Sequence, residues 1–363
     1  MRTLKVGKFA FSFVIVGAVS VALLQATPAQ AATAYVSATG SNANSCLTEA
    51  LACLTLDKAI TVSTQSGKIV IAGHGDFQGL TSPITGSLTI IAPDSGVSIR
   101  QDSLSQPVFT INAGQSDTVT LKGLGINGGS TGTIGIQVDN AGKVYIQNCT
   151  LKGFSNGAGQ AMFLQPNPGA GQQSQLYISN TEVSNSSGGL IFIKPQSGAV
   201  KTYFTHAEVH NSSSFGIKSD GTNGSVDNAV SDSAFFSTTG PAVNATTPAA
   251  ASPGTPVVRV SLERSTVANA GNGAVVANGG GSRALVNKSS IMNASIGVYA
   301  LNGGTAVLND SVITGNGTGV SLASSSPVIT YANNVISFNG FGQCGDNVCN
   351  GAAAGTLTSF TLR

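Results

Sequence analysis

The chain has no tryptophan, and only three histidines and three methionines in 363 residues. Charged residues make up 9% and aromatic residues 6%. Each shortage excludes something. Charged helix formers are few, while there are 46 glycines and many Asn, Ser and Thr, so stacked helical repeats are a poor reading. Sparse ionisable groups leave little material for acid–base catalysis. Low aromatic content argues against a broad sugar-stacking platform, because aromatic faces supply much of the contact area of such sites. There is no phosphate loop, nucleophile elbow or His-Glu-x-x-His, and no repeated Gly-Gly-x-Gly-x-Asp calcium signature. Beyond the N-terminal segment, no apolar run is long enough to cross a bilayer.

What the chain has is a recurring tetrad: a polar residue, a small one, any residue, then an apolar one. It reads Asn148-Cys149-Thr150-Leu151, Asn180-Thr181-Glu182-Val183, His206-Ala207-Glu208-Val209 and Asp232-Ser233-Ala234-Phe235. It continues as Arg264-Ser265-Thr266-Val267, Lys288-Ser289-Ser290-Ile291, Asp310-Ser311-Val312-Ile313 and Asn333-Asn334-Val335-Ile336. The fourth positions lie 32, 26, 26, 32, 24, 22 and 23 residues apart. Such periods mean a solenoid, array or propeller.

The tetrad has period two, so it is strand-like. Its second column is small and its fourth aliphatic or aromatic; both should face inward, and the first should face solvent. Tail residues Asn185, Asn211, Asn269, Asn293, Asn316 and Asn339 suit sharp corners, because Asn tolerates a left-handed backbone. Short Gly-led strands follow, such as Gly135-Ile136-Gln137-Val138 and Gly216-Ile217-Lys218. Each coil therefore holds at least two strands. A propeller blade needs about 40–50 residues, and leucine-rich repeats need a Leu consensus that is missing. The reading is an all-β, single-stranded right-handed parallel β-helix over 66–340. Like residues should stack about 4.8 Å apart.

Residues 1–31 read as a secretory signal peptide, with Arg2, Lys5 and Lys8 before an apolar run and Ala29-Gln30-Ala31 at the cleavage site. Its removal leaves 14 basic and 15 acidic residues, so the precursor's basic pI gives no reason to expect nucleic acid. The protein is expected to be secreted or periplasmic, with no membrane contact after cleavage. Cys46 and Cys53 should staple an N-terminal cap over 32–65, and Cys344 and Cys349 a C-terminal cap over 341–363. Cys149 is left over and should be buried. A short amphipathic helix from Leu54 to Val62 is expected to cover one end of the coil, and Leu357, Phe360 and Leu362 to plug the other.

The opening stretch, Tyr35-Val36-Ser37-Ala38-Thr39-Gly40-Ser41-Asn42 through Cys46 and Cys53-Leu54-Thr55-Leu56-Asp57-Lys58-Ala59-Ile60, has a known likeness. It resembles the start of secreted bacterial right-handed β-helix proteins of the pectate-lyase-like superfamily. Ile69-Val70-Ile71-Ala72-Gly73-His74-Gly75-Asp76-Phe77 and Val119-Thr120-Leu121-Lys122-Gly123-Leu124 resemble one group within it. The likeness, from about Tyr35 to Asn339, implies fold and export. It implies no reaction, since the superfamily holds lyases, hydrolases and adhesins alike. The Trp-containing and Arg-Pro motifs of its lyases are absent. Of the polygalacturonase-like motifs only Gly73-His74-Gly75 occurs, and it reads as a turn.

Stacking in register would put His206, Asp232 and Arg264 on successive coils, with Glu182 beside Glu208. These supply the catalytic candidates: Asp232 orienting His206 or Arg264 as base, and Glu208 as acid or metal ligand. The binding candidates are Glu182, Lys194 and Lys218. Long loops at 165–175 and 244–256 should wall a groove around these coils, about 14 Å long. Tyr145, Tyr177, Tyr203 and Tyr299 read as packing residues. The expected function is non-catalytic display of a surface to extracellular polysaccharide or cell-surface glycan. The alternative is a polysaccharide lyase or glycoside hydrolase acting on acidic polysaccharide. No cofactor or metal is expected, except calcium in the lyase case. A monomer is favoured over a trimer.

Overall fold

The computed structural model describes residues 32–63, 67–101, 106–129, 131–248, 257–323, 326–331, 333–341, 343–345, 348–350 and 358–360. Residues 1–31, expected from the sequence to be a signal peptide, lie outside them. The chain winds as a right-handed parallel β-helix of about ten turns. Each full turn visits three parallel sheets in one order, here A, B and C, with 13, 11 and nine strands. One turn runs through Gln173–Ser179 in A, Glu182–Ser186 in B and Ile191–Ile193 in C, and re-enters A at Ala199–Thr205. The tetrads supply sheet B and the corner before it; the Gly-led strands supply sheet C. Sheet A is the strand that carries no landmark of its own.

The fourth tetrad column forms one unbroken row from Leu151 through Val183, Val209, Phe235, Val267, Ile291 and Ile313 to Ile336. All eight are buried. The second column is buried too, apart from half-buried Asn334, and its chemistry explains its composition. Ser233 Oγ accepts the Ala207 N–H at 3.0 Å and donates to the Ser231 carbonyl at 2.7 Å. Ser265, Ser289 and Ser311 repeat the arrangement, each taking the amide of the preceding coil's corner. Asn334 closes the ladder on the Ser311 N–H at 2.9 Å. A corner amide has no sheet partner, so a small buried hydroxyl satisfies it.

The first column faces solvent, but from a corner and not from a strand. Asn148, Asn180, His206, Asp232, Arg264, Lys288 and Asp310 have φ of 46–53°. The left-handed residue that sharpens each A-to-B corner is therefore the tetrad's first residue, besides the tail Asn. Asn185, Asn211, Asn269 and Asn293 are left-handed as expected. Asn316 and Asn339 are not: Gly315 and Phe338 take that conformation one place earlier. Both Asn side chains turn inward instead. Asn316 Oδ1 accepts the Ala294 N–H at 2.9 Å, and Asn339 Oδ1 accepts the Asn316 N–H at 2.9 Å.

At the N-terminal end the Cys46–Cys53 disulfide is formed, with Cα atoms 4.9 Å apart. The capping helix spans Leu56–Ser63, two residues later than the apolar pattern suggests. Thr55 Oγ1 accepts the Lys58 N–H at 3.3 Å, so the helix starts at its cap and Leu54 stays exposed. Leu56, Ala59 and Ile60 face the coil. At the other end Gln343–Gly345 and Val348–Asn350 pair antiparallel, with Cys344 opposite Cys349. Their side chains lie outside the described residues, as do Leu357 and Leu362; the backbone of Thr358–Phe360 adds the last strand of sheet A. Cys149 is free and buried, and burial pushes its thiol up to about 11.

Candidate functional site

The A-to-B corner brings His206, Asp232 and Arg264 onto successive coils. Arg264 Nε and Nη2 donate to the two oxygens of Asp232 at 2.8 and 2.9 Å. Its Nη1 donates to Glu263 at 2.6 Å. The hydrogen bonds from Arg264 hold the Asp232 carboxyl below its usual range, and the charges of Arg264 and His206 add to this. Both Asp232 oxygens and all three guanidinium nitrogens carry a hydrogen bond, so the two side chains are committed to an ion pair. The two side chains are 31% and 50% exposed, so the pair lies in an open setting.

A carboxyl with a lowered folded-state pKa contributes stability above its unfolded titration, and that contribution is lost as pH falls through the folded value. The Asp232 carboxyl should therefore titrate below the ordinary aspartate value in carbon-detected NMR. In Arg264→Gln its midpoint should rise toward the ordinary value; an unmoved midpoint would refute the pairing.

Glu182 and Glu208 are direct neighbours on the outer face of sheet B. The sequence reading missed what joins them. His210 Nε2 lies 3.2 Å from Glu182 and 4.0 Å from Glu208. The imidazole stacks on Phe236 at 4.8 Å and 8°. Ser184 Oγ donates to Glu182 at 3.3 Å, and His210 Nδ1 is buried without a partner among the described residues. Glu208 thus faces His210, on the sheet beside the corner that carries Asp232 and Arg264. The signal for His210 was its place one residue past Val209, in the row that holds Ser184 and Phe236.

Lys194 and Lys218 are on another face. The outer row of sheet C reads Gln137, Phe163, Phe192, Lys218 and Asn244. Phe163 and Phe192 pack at 5.6 Å, and Lys218 Nζ sits 5.1 Å over the Phe192 ring. Lys194 follows Ile193 at the sheet's edge, where its N–H donates to Leu164. The long loops belong to this edge. They run over 165–172 and 247–257, between sheets C and A, with 249–256 outside the described residues. The first therefore does not flank Glu182, Glu208, His206 and Asp232, because all of sheet A lies between it and the A-to-B corner. The first loop helps enclose a polar hollow of about 320 Å³ lined by Asp139, Asn140, Gln165, Asn167 and Gln196. Asp139 accepts from Gln137 at 2.9 Å and from Gln165 at 2.8 Å, which fixes both amides.

Three tyrosines stack on the outer face of sheet A. Tyr145, Tyr177 and Tyr203 have ring centroids 4.7 and 4.8 Å apart. Tyr177 has a stacked ring on each side, which fits a packing role for the row. Burial, with the neighbouring phenols, raises the Tyr177 hydroxyl above its ordinary pKa. Calcium, which a lyase would bring in, takes six to eight oxygen ligands. Among the described residues no three His, Cys, Asp or Glu side chains converge to hold a metal.

No family model matches the chain, and no curated protein matches it. Solved structures do. The Dettilon tailspike protein is 11% identical, with a TM-score of 0.52 over 78% of this chain and 64% of its own. This chain thus spans less than two thirds of the tailspike's length. Pectate lyase Pel9A is 12% identical over 82% of this chain and 75% of its own, with a TM-score of 0.48. The pectin methylesterase of Aspergillus niger is 11% identical over 82% and 87%, with a TM-score of 0.42. The tailspike likeness establishes the fold and no more; the other two are too distant to support an argument.

Proposed function

We propose that the protein is exported and binds extracellular glycan, without turning it over, on the outer face of sheet C. The carrying observation is the Phe163–Phe192 strip with Lys194 and Lys218 beside it, bordered by the loop at 165–172. The half-buried rings offer apolar contact to sugar C–H groups, while ammonium groups and fixed amides offer hydrogen bonds, the usual division of labour in a binding site. Asp139, Gln165 and Asn167 supply the amide and carboxylate side. The Cys46–Cys53 disulfide fits an oxidising compartment. The lyase or hydrolase reading has weaker support, because Asp232 is held by Arg264 and Glu208 faces His210.

A glycan array, followed by titration of its best ligand, tests this. Phe192→Ala should weaken that ligand about tenfold, the equivalent of ~1.4 kcal/mol, with no change in fold. A ligand indifferent to Phe192→Ala and Lys218→Gln would remove the site. New ultraviolet absorbance from unsaturated uronate ends on incubation with polymer would overturn the non-catalytic reading. A mature N-terminus at Ala32 in medium or periplasm would establish export.

A further inference from the structure

A separate groove lies at the A-to-B corner of the early coils, away from sheet C. It arises from corner length. Leu88–Ile91 and Val97–Arg100 are joined by residues 92–96, whereas 123–124 and 148–149 make the next two corners. Residues of the longer corner and of the two shorter ones line one space. Gly125, opposite Ser98 and Thr150, puts no side chain into that space, and any Cβ there would meet the Val97 carbonyl oxygen at 2.4 Å. The result is a hollow of about 720 Å³. It extends over two coil steps, about 10 Å.

Its charge is unbalanced. Lys122 ends a sheet A strand and Lys152 lies in a sheet B strand, so two lysines line one hollow from two sheets. No carboxylate among the described residues forms an ion pair with either. Asp94 is the single acidic residue in the lining. Asn127, Asn148 and Thr150 add neutral hydrogen-bonding groups to the floor. Two like charges facing one space repel, and an anion between them removes the repulsion and gains charge-assisted hydrogen bonds.

We infer that this hollow is a binding site for an oxyanion group, a sulfate or carboxylate, held between Lys122 and Lys152. It goes beyond the sheet C reading and does not depend on it. The test is calorimetric titration of the full chain at low ionic strength with three probes: inorganic sulfate, a sulfated oligosaccharide and a galacturonate trisaccharide. At least one should bind, and binding should weaken steeply with added salt. Lys122→Gln/Lys152→Gln should weaken it at least tenfold while circular dichroism stays unchanged, and Phe192→Ala should leave it unaltered. Tighter binding of a saccharide than of sulfate assigns the oxyanion to a glycan; equal binding assigns it to a free anion. Failure of all three probes to bind, or equal binding by the double variant, overturns the site. Loss through Phe192→Ala instead would return the ligand to sheet C.

Discussion

Phe235→Ala is expected to destabilise the protein by about 3–5 kcal/mol, the cost of deleting a fully buried aromatic ring. The expectation rests on the row it occupies. Phe235 is 0% exposed and stacks in register between Val209 and Val267. Both neighbours are short and stiff at χ1, so neither can swing into the space left behind. The cavity should persist, and its volume adds to the lost transfer energy. In a solenoid each coil contacts only its neighbours, so the loss concentrates there. The measurement is the urea midpoint together with hydrogen exchange. The amides of Val209, Phe235 and Val267 should lose protection before those of the N-terminal coils. A cost under about 1 kcal/mol would mean that the row is not packed as described.

Asn228→Ala should cost about 2–4 kcal/mol for a different reason. Asn228 is fully buried inside sheet A, with Thr202 as its register partner. Its Oδ1 accepts from Thr202 Oγ1, and its Nδ2 donates to Ser219 Oγ on sheet C. All three residues are 0% exposed. Removing the amide leaves two buried hydroxyls without that partner, each worth roughly 1–3 kcal/mol. Replacing the whole set should not carry that penalty. Thr202→Val/Ser219→Ala/Asn228→Leu should recover much of the loss, since no polar group then remains unmet. If the triple variant is less stable than Asn228→Ala, the cluster contributes through shape and not through hydrogen bonding.

Much of the fold was legible because its unit is local. The tetrad's second and fourth residues share one face of one strand, so a period of two identified the inward rows from Leu151 to Ile336 without any long-range contact. The disulfide staple and the capping helix were likewise visible in short stretches, with the helix start misplaced because Thr55, not the first leucine, caps it. The left-handed corner was attributed to the Asn tail alone. The first column mixes His, Asp, Arg and Lys with Asn, so its backbone conformation left no compositional mark.

The site was less legible. His206, Asp232 and Arg264 could be aligned from repeat spacing, but their mutual engagement depends on side-chain reach. His210 contacts Glu182, 28 residues earlier, from outside the tetrad. The sheet A strands carry no sequence landmark, and without that third of the coil the tetrad pattern puts the long loops at the wrong border. Phe163 and Phe192 fell outside the Gly-led pattern, so their meeting with Lys218 went unseen.

Period and residue size, both carried along the chain, were enough to dictate a stacked parallel coil, its inward rows and its capped N-terminal end. Neighbours along one strand impose those features directly. Which charges meet, which face holds the aromatic strip and where the hollows open depend on how three sheets share each turn. That arrangement is a property of corner lengths summed around the coil, and it exists only once the turns have closed on one another.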